Sequence, residues 1–140
     1  MKILREAFDS AAEQEDPNPI VSVSAWPLGV LCDYGDHDEL ARETNRLIGI
    51  IEKESHPIRR ADGLFLVLKF TRQGPWNVVK CVLDAFRSAC EAGHGWKRDR
   101  DLRDASEWIA PRDHEEALRL VELIEQPRVR RQALRKFPAR

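Results

Sequence analysis

Apolar and polar residues follow each other along most of the chain with the period of an α-helix. Two segments, residues 38–53 and 113–125, repeat apolar side chains at spacings that place them on one side of a helix. These side chains are Leu40, Leu47, Ile50 and Ile51 in the first segment and Ala117, Leu120, Val121 and Ile124 in the second. Residues 2–14 and 77–91 are assigned to the same class of segment, so four such helices are predicted.

A second kind of segment begins with a proline, a residue that suits the first turn of a helix. With Pro19, Pro57 and Pro127 set as equivalent, the sixth residue after each proline is small and the seventh is large and apolar. The small residues are Ala25, Gly63 and Ala133, and the large ones are Trp26, Leu64 and Leu134. Such a pair lets two helices cross closely, so packed helices are predicted. Pro27 is expected to kink or end the first of them.

The two kinds of segment alternate, which predicts helix pairs along the chain. Pro19 and Pro57 are 38 residues apart, and Pro57 and Pro127 are 70 apart, close to two such periods. A further unit is therefore expected between the last two prolines, and residues 93–110 occupy its place. This segment has no proline start and only Trp96, Leu102, Ala105, Trp108 and Ile109 to bury, and its charges four residues apart predict a solvated helix after a turn. The pairs are Lys97 with Asp101, Asp99 with Arg103, and Arg100 with Asp104.

This arrangement resembles HEAT repeats and the related phycobilisome-lyase-type repeats. The residues that carry the resemblance are DPNPIV at 16–21, followed by Ala25 and by Leu28-Gly29, and QPRVRRQAL at 126–134. The resemblance implies an all-α fold: a right-handed α-solenoid, or α-α superhelix, of about four antiparallel helix pairs. One HEAT-like domain over residues 1–140 is expected. The resemblance also implies that the second helix of each pair lines the concave surface.

Charge is distributed unevenly between the two ends of the chain. Residues 1–54 hold 5 basic and 12 acidic side chains, whereas residues 55–140 hold 18 basic and 12 acidic ones. On a helical wheel, Arg128, Arg131 and Arg135 lie opposite the apolar side of residues 127–137, where they are free to meet solvent or a partner. Arg130 lies on the apolar side, so its guanidinium is predicted to bond a neighbouring helix end or carboxylate. The alternative is that these arginines are ordinary solvated helix residues.

No catalytic or metal-binding pattern is found in the chain. The four histidines are scattered, and the three cysteines match no zinc, redox or catalytic spacing. Residues 32–40 gather aspartates and a histidine but lack the ligand alternation of a calcium loop, so Asp36 or Asp38 is predicted to cap a helix. Asp113, with Glu116 three residues later, predicts a capping box. We therefore expect no enzyme activity, no metal and no cofactor.

The longest apolar run is about five residues, at 64–68, so no membrane-spanning segment is predicted. Residues 1–10 carry charges where a secretory signal needs an apolar core, and a cytoplasmic location is therefore expected.

These observations predict a non-enzymatic protein–protein interaction module, an adaptor or an inhibitor, whose basic concave surface binds another protein with an acidic patch. The candidate contact residues are Arg128, Arg131, Arg135, Lys136, Arg59 and Trp96. The alternative is nucleic-acid binding, because the last 14 residues hold six basic and no acidic side chains. A pI near 6.4 argues against that alternative. An enzyme like the lyase-type repeat proteins is a third possibility, for which no residue is assigned.

Overall fold

The computed structural model describes residues 27–137, and within this range it consists of helices and short connections with no strand. The all-α prediction is confirmed for these residues. The predicted helix over 2–14 and the segment that begins with Pro19 lie outside the described residues. The helices are α1 (27–34), α2 (His37–Ile51), α3 (Pro57–Thr71), α4 (Trp76–Ala92), α5 (Trp96–Ile109), α6 (His114–Glu122) and α7 (Pro127–Arg135). None of them is both long and apolar enough to cross a bilayer.

The helices begin at the residues that the sequence indicates. Pro57 and Pro127 each occupy the first turn of their helix, α3 and α7. Asp36 caps α2 by accepting a 2.8 Å hydrogen bond from the backbone N–H of Asp38. Asp113 caps α6 by accepting a 3.1 Å bond from the N–H of Glu116, which confirms one half of the predicted capping box. The Glu116 carboxylate pairs instead with Lys80, Arg87 and Arg119.

Contacts between helices follow the chain order only in part. Along the sequence, α3 packs most closely on α4 and α5 on α6, the predicted pairs α2–α3 and α6–α7 make less backbone contact, and the third predicted pair, α4–α5, makes almost none. In addition, α2 packs on α4, α3 on α5 and α5 on α7. First helices of the predicted pairs therefore lie beside first helices, as α2 does beside α4, and second helices beside second helices, as α3 and α7 do beside α5.

The apolar pattern largely forms the core. Of the eight apolar residues predicted to share the buried sides of 38–53 and 113–125, seven are buried and Ile50 is partly exposed. Gly63 and Ala133 are buried as well. A Cβ added at Gly63 would lie 3.3 Å from Cγ2 of Ile51, so this glycine lets α3 approach α2. Leu134, however, is 46% exposed, because no described helix follows α7 to cover it.

The third unit departs from the prediction of a solvated helix at its charged residues. Leu102, Ala105 and Ile109 on α5 are fully buried, as predicted, but the charged side chains of Arg98, Asp99 and Asp101 are buried with them. None of the three predicted charge pairs forms a salt bridge. Asp99 pairs with Arg98 and Arg103 with Asp104 on the same helix. Lys97 bonds to Asp62 of α3 at 2.7 Å.

Candidate partner-binding surface

Several arginines hold the ends of helices and are therefore structural. Arg130 donates to the carbonyl oxygens of Glu122 at 3.2 Å and of Ile124 at 2.6 Å, at the end of α6. This confirms the prediction that its guanidinium bonds a neighbouring helix end. Arg60 donates to Glu54 O at 2.7 Å and to Ser55 O at 3.1 Å, beyond the end of α2. The last carbonyls of a helix have no partner within the helix and carry partial negative charge, so a cation there is favourable.

Two further arginines close the ends of α3 and α4 in the same way. Arg112 donates to Arg72 O at 3.0 Å and to Gly74 O at 2.7 Å. Arg98 donates to Cys90 O at 2.9 Å and to Gly93 O at 2.7 Å, and also to Leu123 O after α6. These contacts remove both guanidiniums from the set that can bind a partner.

The buried Asp99 side chain fixes the start of α7 against α5. Its two carboxylate oxygens accept the backbone N–H groups of Glu125 at 3.3 Å and of Gln126 at 3.0 Å, just before Pro127. Arg98 lies beside it, with Nη2 3.2 Å from Asp99 Oδ1. A buried ion pair is tolerated when both partners have further hydrogen bonds, as both have here. The sequence had indicated an exposed Asp99 paired with Arg103 instead.

Helices α5 and α7 run parallel to each other and in register. Arg103 Nη1 lies 3.1 Å from Gln132 Oε1, and Lys136 Nζ lies 3.1 Å from Glu107 Oε2. From the first contact to the second, the residue on α5 and the residue on α7 each lie four positions further along the chain, which is about one helical turn, so the two helices run in the same direction. The 2.7 Å bond between Lys97 and Asp62 places α3 along the other side of α5. The exposed sides of these three helices form one continuous area, which we call the α3–α5–α7 surface.

The free cations of this surface are concentrated on α7. Arg128, Arg131 and Arg135 are exposed, and within residues 27–137 their side chains have no hydrogen-bond or ion-pair partner. Carboxylates balance three other cations: Asp62 bonds Lys97, Asp104 bonds Arg103 at 3.2 Å, and Glu107 bonds Lys136. Arg59 on α3 and Arg100 on α5 are exposed and have no carboxylate partner among residues 27–137. The positive charge of the surface is therefore densest on α7.

A groove of about 400 Å³ lies between α5 and α7, and the side chains that line it carry donors. They are Arg103, Gln132, Arg135 and Lys136. Arg135 and Lys136 are candidates from the sequence, but Arg103 and Gln132 are not, because the groove exists only through the packing of two helices separated by almost thirty residues. A glutamine on the polar side of a helix gives no signal in the sequence alone.

The remaining candidates lie at the edges of the same surface. Trp96 is 64% exposed at the start of α5, and the guanidinium of Arg100 lies 5.2 Å from its ring centroid. The register of α5 and α7 places both residues at the same end of the surface as Arg128. Arg59 is exposed near the start of α3. The six candidate residues thus all lie at exposed positions of α3, α5 and α7, with Arg135 and Lys136 lining the groove.

A pair of carboxyl groups lies beneath this surface, between α3 and α5. Asp101 is 4% exposed, and burial, together with the hydrogen bond that its protonated carboxyl group donates to Asp62, raises its pKa to about 7. The charges of both groups act on the nearby thiol of Cys90. Burial also raises the pKa of the Cys90 thiol to about 12, which keeps it unreactive near neutral pH. In the described part of the chain, no three histidine, cysteine or acidic side chains come together as a metal site.

Comparison with known proteins gives no relative: no family model, no curated protein and no solved structure matches the chain. The HEAT-like resemblance therefore stays a prediction.

Proposed function

We propose that the protein is a non-enzymatic interaction module, an adaptor or an inhibitor, that binds an acidic patch of another protein through the α3–α5–α7 surface. In this proposal the helices form a right-handed HEAT-like α-solenoid of about four pairs, and this surface is its concave side.

The solenoid arrangement is supported by the way in which helices of one kind contact each other. The proline-led helices α3 and α7 both lie against α5, and α2 lies against α4, which is the contact pattern of stacked units. The arginine contacts repeat as well: Arg60 and Arg130 stand three residues after Pro57 and Pro127, and each bonds the end of the preceding helix. A shared role at equivalent positions is what a structural repeat predicts.

The observation that carries the binding proposal is the row of unpaired arginines on α7. Arg128, Arg131 and Arg135 are three or four residues apart, so they share one side of the helix, and that side is exposed. An arginine guanidinium matches a carboxylate with two parallel hydrogen bonds and is enriched in the energetic centres of interfaces. Exposed Trp96 at the same end supplies an aromatic contact of the kind such centres use.

The test compares two charge-matched double variants of the full chain. Arg128→Gln with Arg131→Gln removes two cations from the surface, and Arg42→Gln with Lys53→Gln removes two from the α2 side. Arg42 and Lys53 are exposed, and their side chains contact no partner within the described residues. The protein that co-purifies with the wild type is identified, purified and titrated against each variant. We expect at least a tenfold loss for the α7 variant and less than a twofold change for the control. Equal affinities of both variants would remove the assigned surface.

A second candidate function is nucleic-acid binding, favoured by the same unpaired row, since arginines at this spacing also contact phosphates. The carboxylates of Asp62, Asp104 and Glu107 on the neighbouring helices would interrupt a phosphate track. Binding to duplex DNA that falls at least tenfold between about 50 and about 200 mM salt would support this candidate. Absence of binding at about 50 mM salt would eliminate it.

A further inference from the structure

The side chains that line the groove between α5 and α7 present mainly hydrogen-bond donors. Gln132 Oε1 already accepts from Arg103 Nη1 at 3.1 Å, which leaves the amide nitrogen of Gln132 as its open group. Arg135 has five N–H donors and no partner among the described residues. Lys136 gives one of its three ammonium protons to Glu107. A ligand in this groove must therefore supply acceptors.

The positive charge of the lining requires those acceptors to be anionic. Arg103, Arg135 and Lys136 contribute three cations, and the two nearest carboxylates, Asp104 and Glu107, are each engaged with one of them. Arg135 keeps its full charge. Charge-assisted hydrogen bonds to a carboxylate are roughly twice as strong as neutral ones, so an anionic group is favoured over a neutral amide of the same shape.

The shape and rim of the groove favour a protein side chain over a nucleic-acid backbone. A volume of about 400 Å³ accommodates a glutamate or aspartate side chain together with the backbone that carries it. Asp104 and Glu107 remain on the α5 side of the groove, where they repel a second closely spaced anion. An isolated carboxylate avoids this repulsion, whereas the adjacent phosphates of a nucleic acid meet it.

We propose that the groove lined by Arg103, Gln132, Arg135 and Lys136 is a pocket for a carboxylate side chain in an acidic segment of the partner protein. This inference rests on the proposed function and specifies where on the α3–α5–α7 surface the acidic residue is bound. The row formed by Arg128 and Arg131 then contacts the acidic residues that flank it.

The experiment uses fluorescence anisotropy of a labelled peptide of alternating glutamate and alanine, titrated with the full-length protein. Two further probes are a glutamine–alanine peptide of equal length and single-stranded oligothymidylate of equal formal charge. The key variant is Gln132→Glu, in which a carboxylate of the same size still accepts the bond from Arg103 but neutralises the groove. Arg135→Gln, at an exposed position, is a second groove variant, and Arg42→Gln on α2 is the control.

We expect the glutamate peptide to bind the wild type at least tenfold more tightly than either other probe. Gln132→Glu and Arg135→Gln should each weaken it at least fivefold, and Arg42→Gln less than twofold, with unchanged helical circular dichroism in all three. Wild-type affinity in Gln132→Glu would overturn the pocket. If the Arg128→Gln, Arg131→Gln variant has nevertheless lost binding, the proposed function stands without the pocket. The pocket would also be overturned if oligothymidylate bound more tightly than the glutamate peptide, or if the glutamate and glutamine peptides bound equally well. In either case, the titration with the purified partner protein would still test the proposed function.

Discussion

At four helix ends a guanidinium lies against backbone carbonyl oxygens, while on the exposed side of α7 three guanidiniums have no partner in the described range. The difference follows from where each arginine lies relative to the buried side of its helix. Arg130 stands next to Val129, which packs on the core, and it therefore reaches the preceding helix. Arg128 and Arg131 lie on the other side and meet solvent.

The arginine most deeply built into the fold is Arg98, and its removal should be costly. It is 5% exposed, and its guanidinium bonds three backbone carbonyls and the buried carboxylate of Asp99. Arg98→Met leaves Asp99 without its counter-ion, and we expect a loss of roughly 3 to 5 kcal/mol in the free energy of unfolding. Urea denaturation measures this loss. Arg100→Gln, at an exposed position on the same helix, should cost under about 0.5 kcal/mol. Similar losses in both variants would contradict the structural role of Arg98.

Asp101 should make stability depend on pH near neutrality. Its pKa is raised to about 7, first by burial and then by the hydrogen bond with Asp62, while Lys97 and Arg100 lower it by a smaller amount. Between about pH 4 and pH 7 the folded chain therefore holds a proton that the unfolded chain has lost, so stability falls as the pH rises through this window. Between about pH 5.5 and pH 8 we expect a loss of about 2 kcal/mol from this group.

Urea unfolding at the two pH values measures this dependence. Asp101→Asn keeps a donor for Asp62 but does not titrate. Between the two pH values, the free energy of unfolding of this variant should therefore fall by at least about 1 kcal/mol less than that of the wild type, which corresponds to roughly one pKa unit. Asp33→Asn, at an exposed position on α1, should keep the wild-type dependence. The same slope in Asp101→Asn and in the wild type would show that another group is responsible.

At the level of the helices, the sequence predicts which helices form and where they begin better than it predicts which helices contact each other. The starts of α2, α3, α6 and α7 follow from Asp36, Pro57, Asp113 and Pro127, because caps and prolines act within one turn. The burial of the charged side chains of α5 could not be predicted in this way. Its buried charges depend on partners in α3 and in the connection before α7, and a helical wheel of one segment contains no information about them.

The connection between α4 and α5 depends on a single backbone conformation. Gly95, the residue before α5, has a φ of +114°, a region that residues with a side chain rarely adopt, although no atom lies within 4 Å of an added Cβ. Gly95→Ala should therefore lower the free energy of unfolding by about 1 to 3 kcal/mol through backbone strain alone.

Gly49 provides the matched control for this substitution, because it also has open space around an added Cβ but lies within α2. Gly49→Ala should raise the free energy of unfolding by about 0.5 to 1 kcal/mol, since alanine is the better helix former. Thermal unfolding of both variants gives the comparison. A Gly95→Ala protein as stable as the wild type would show that this turn accepts another conformation.

At the level of the whole molecule, the chain is nearly neutral but presents three unpaired cations side by side on α7. Overall charge therefore conceals a local positive field, and an acidic ligand should be attracted to that field before contact. In stopped-flow measurements, the association rate constant for the glutamate–alanine peptide should fall about tenfold between about 50 and about 500 mM salt, because screening shortens the range of the field. Arg128→Gln with Arg131→Gln should show a weaker dependence on salt, whereas Arg42→Gln with Lys53→Gln should match the wild type. The two variants have the same net charge, so a difference between them can arise only from the position of the removed cations, and identical slopes would show that total charge alone governs the encounter.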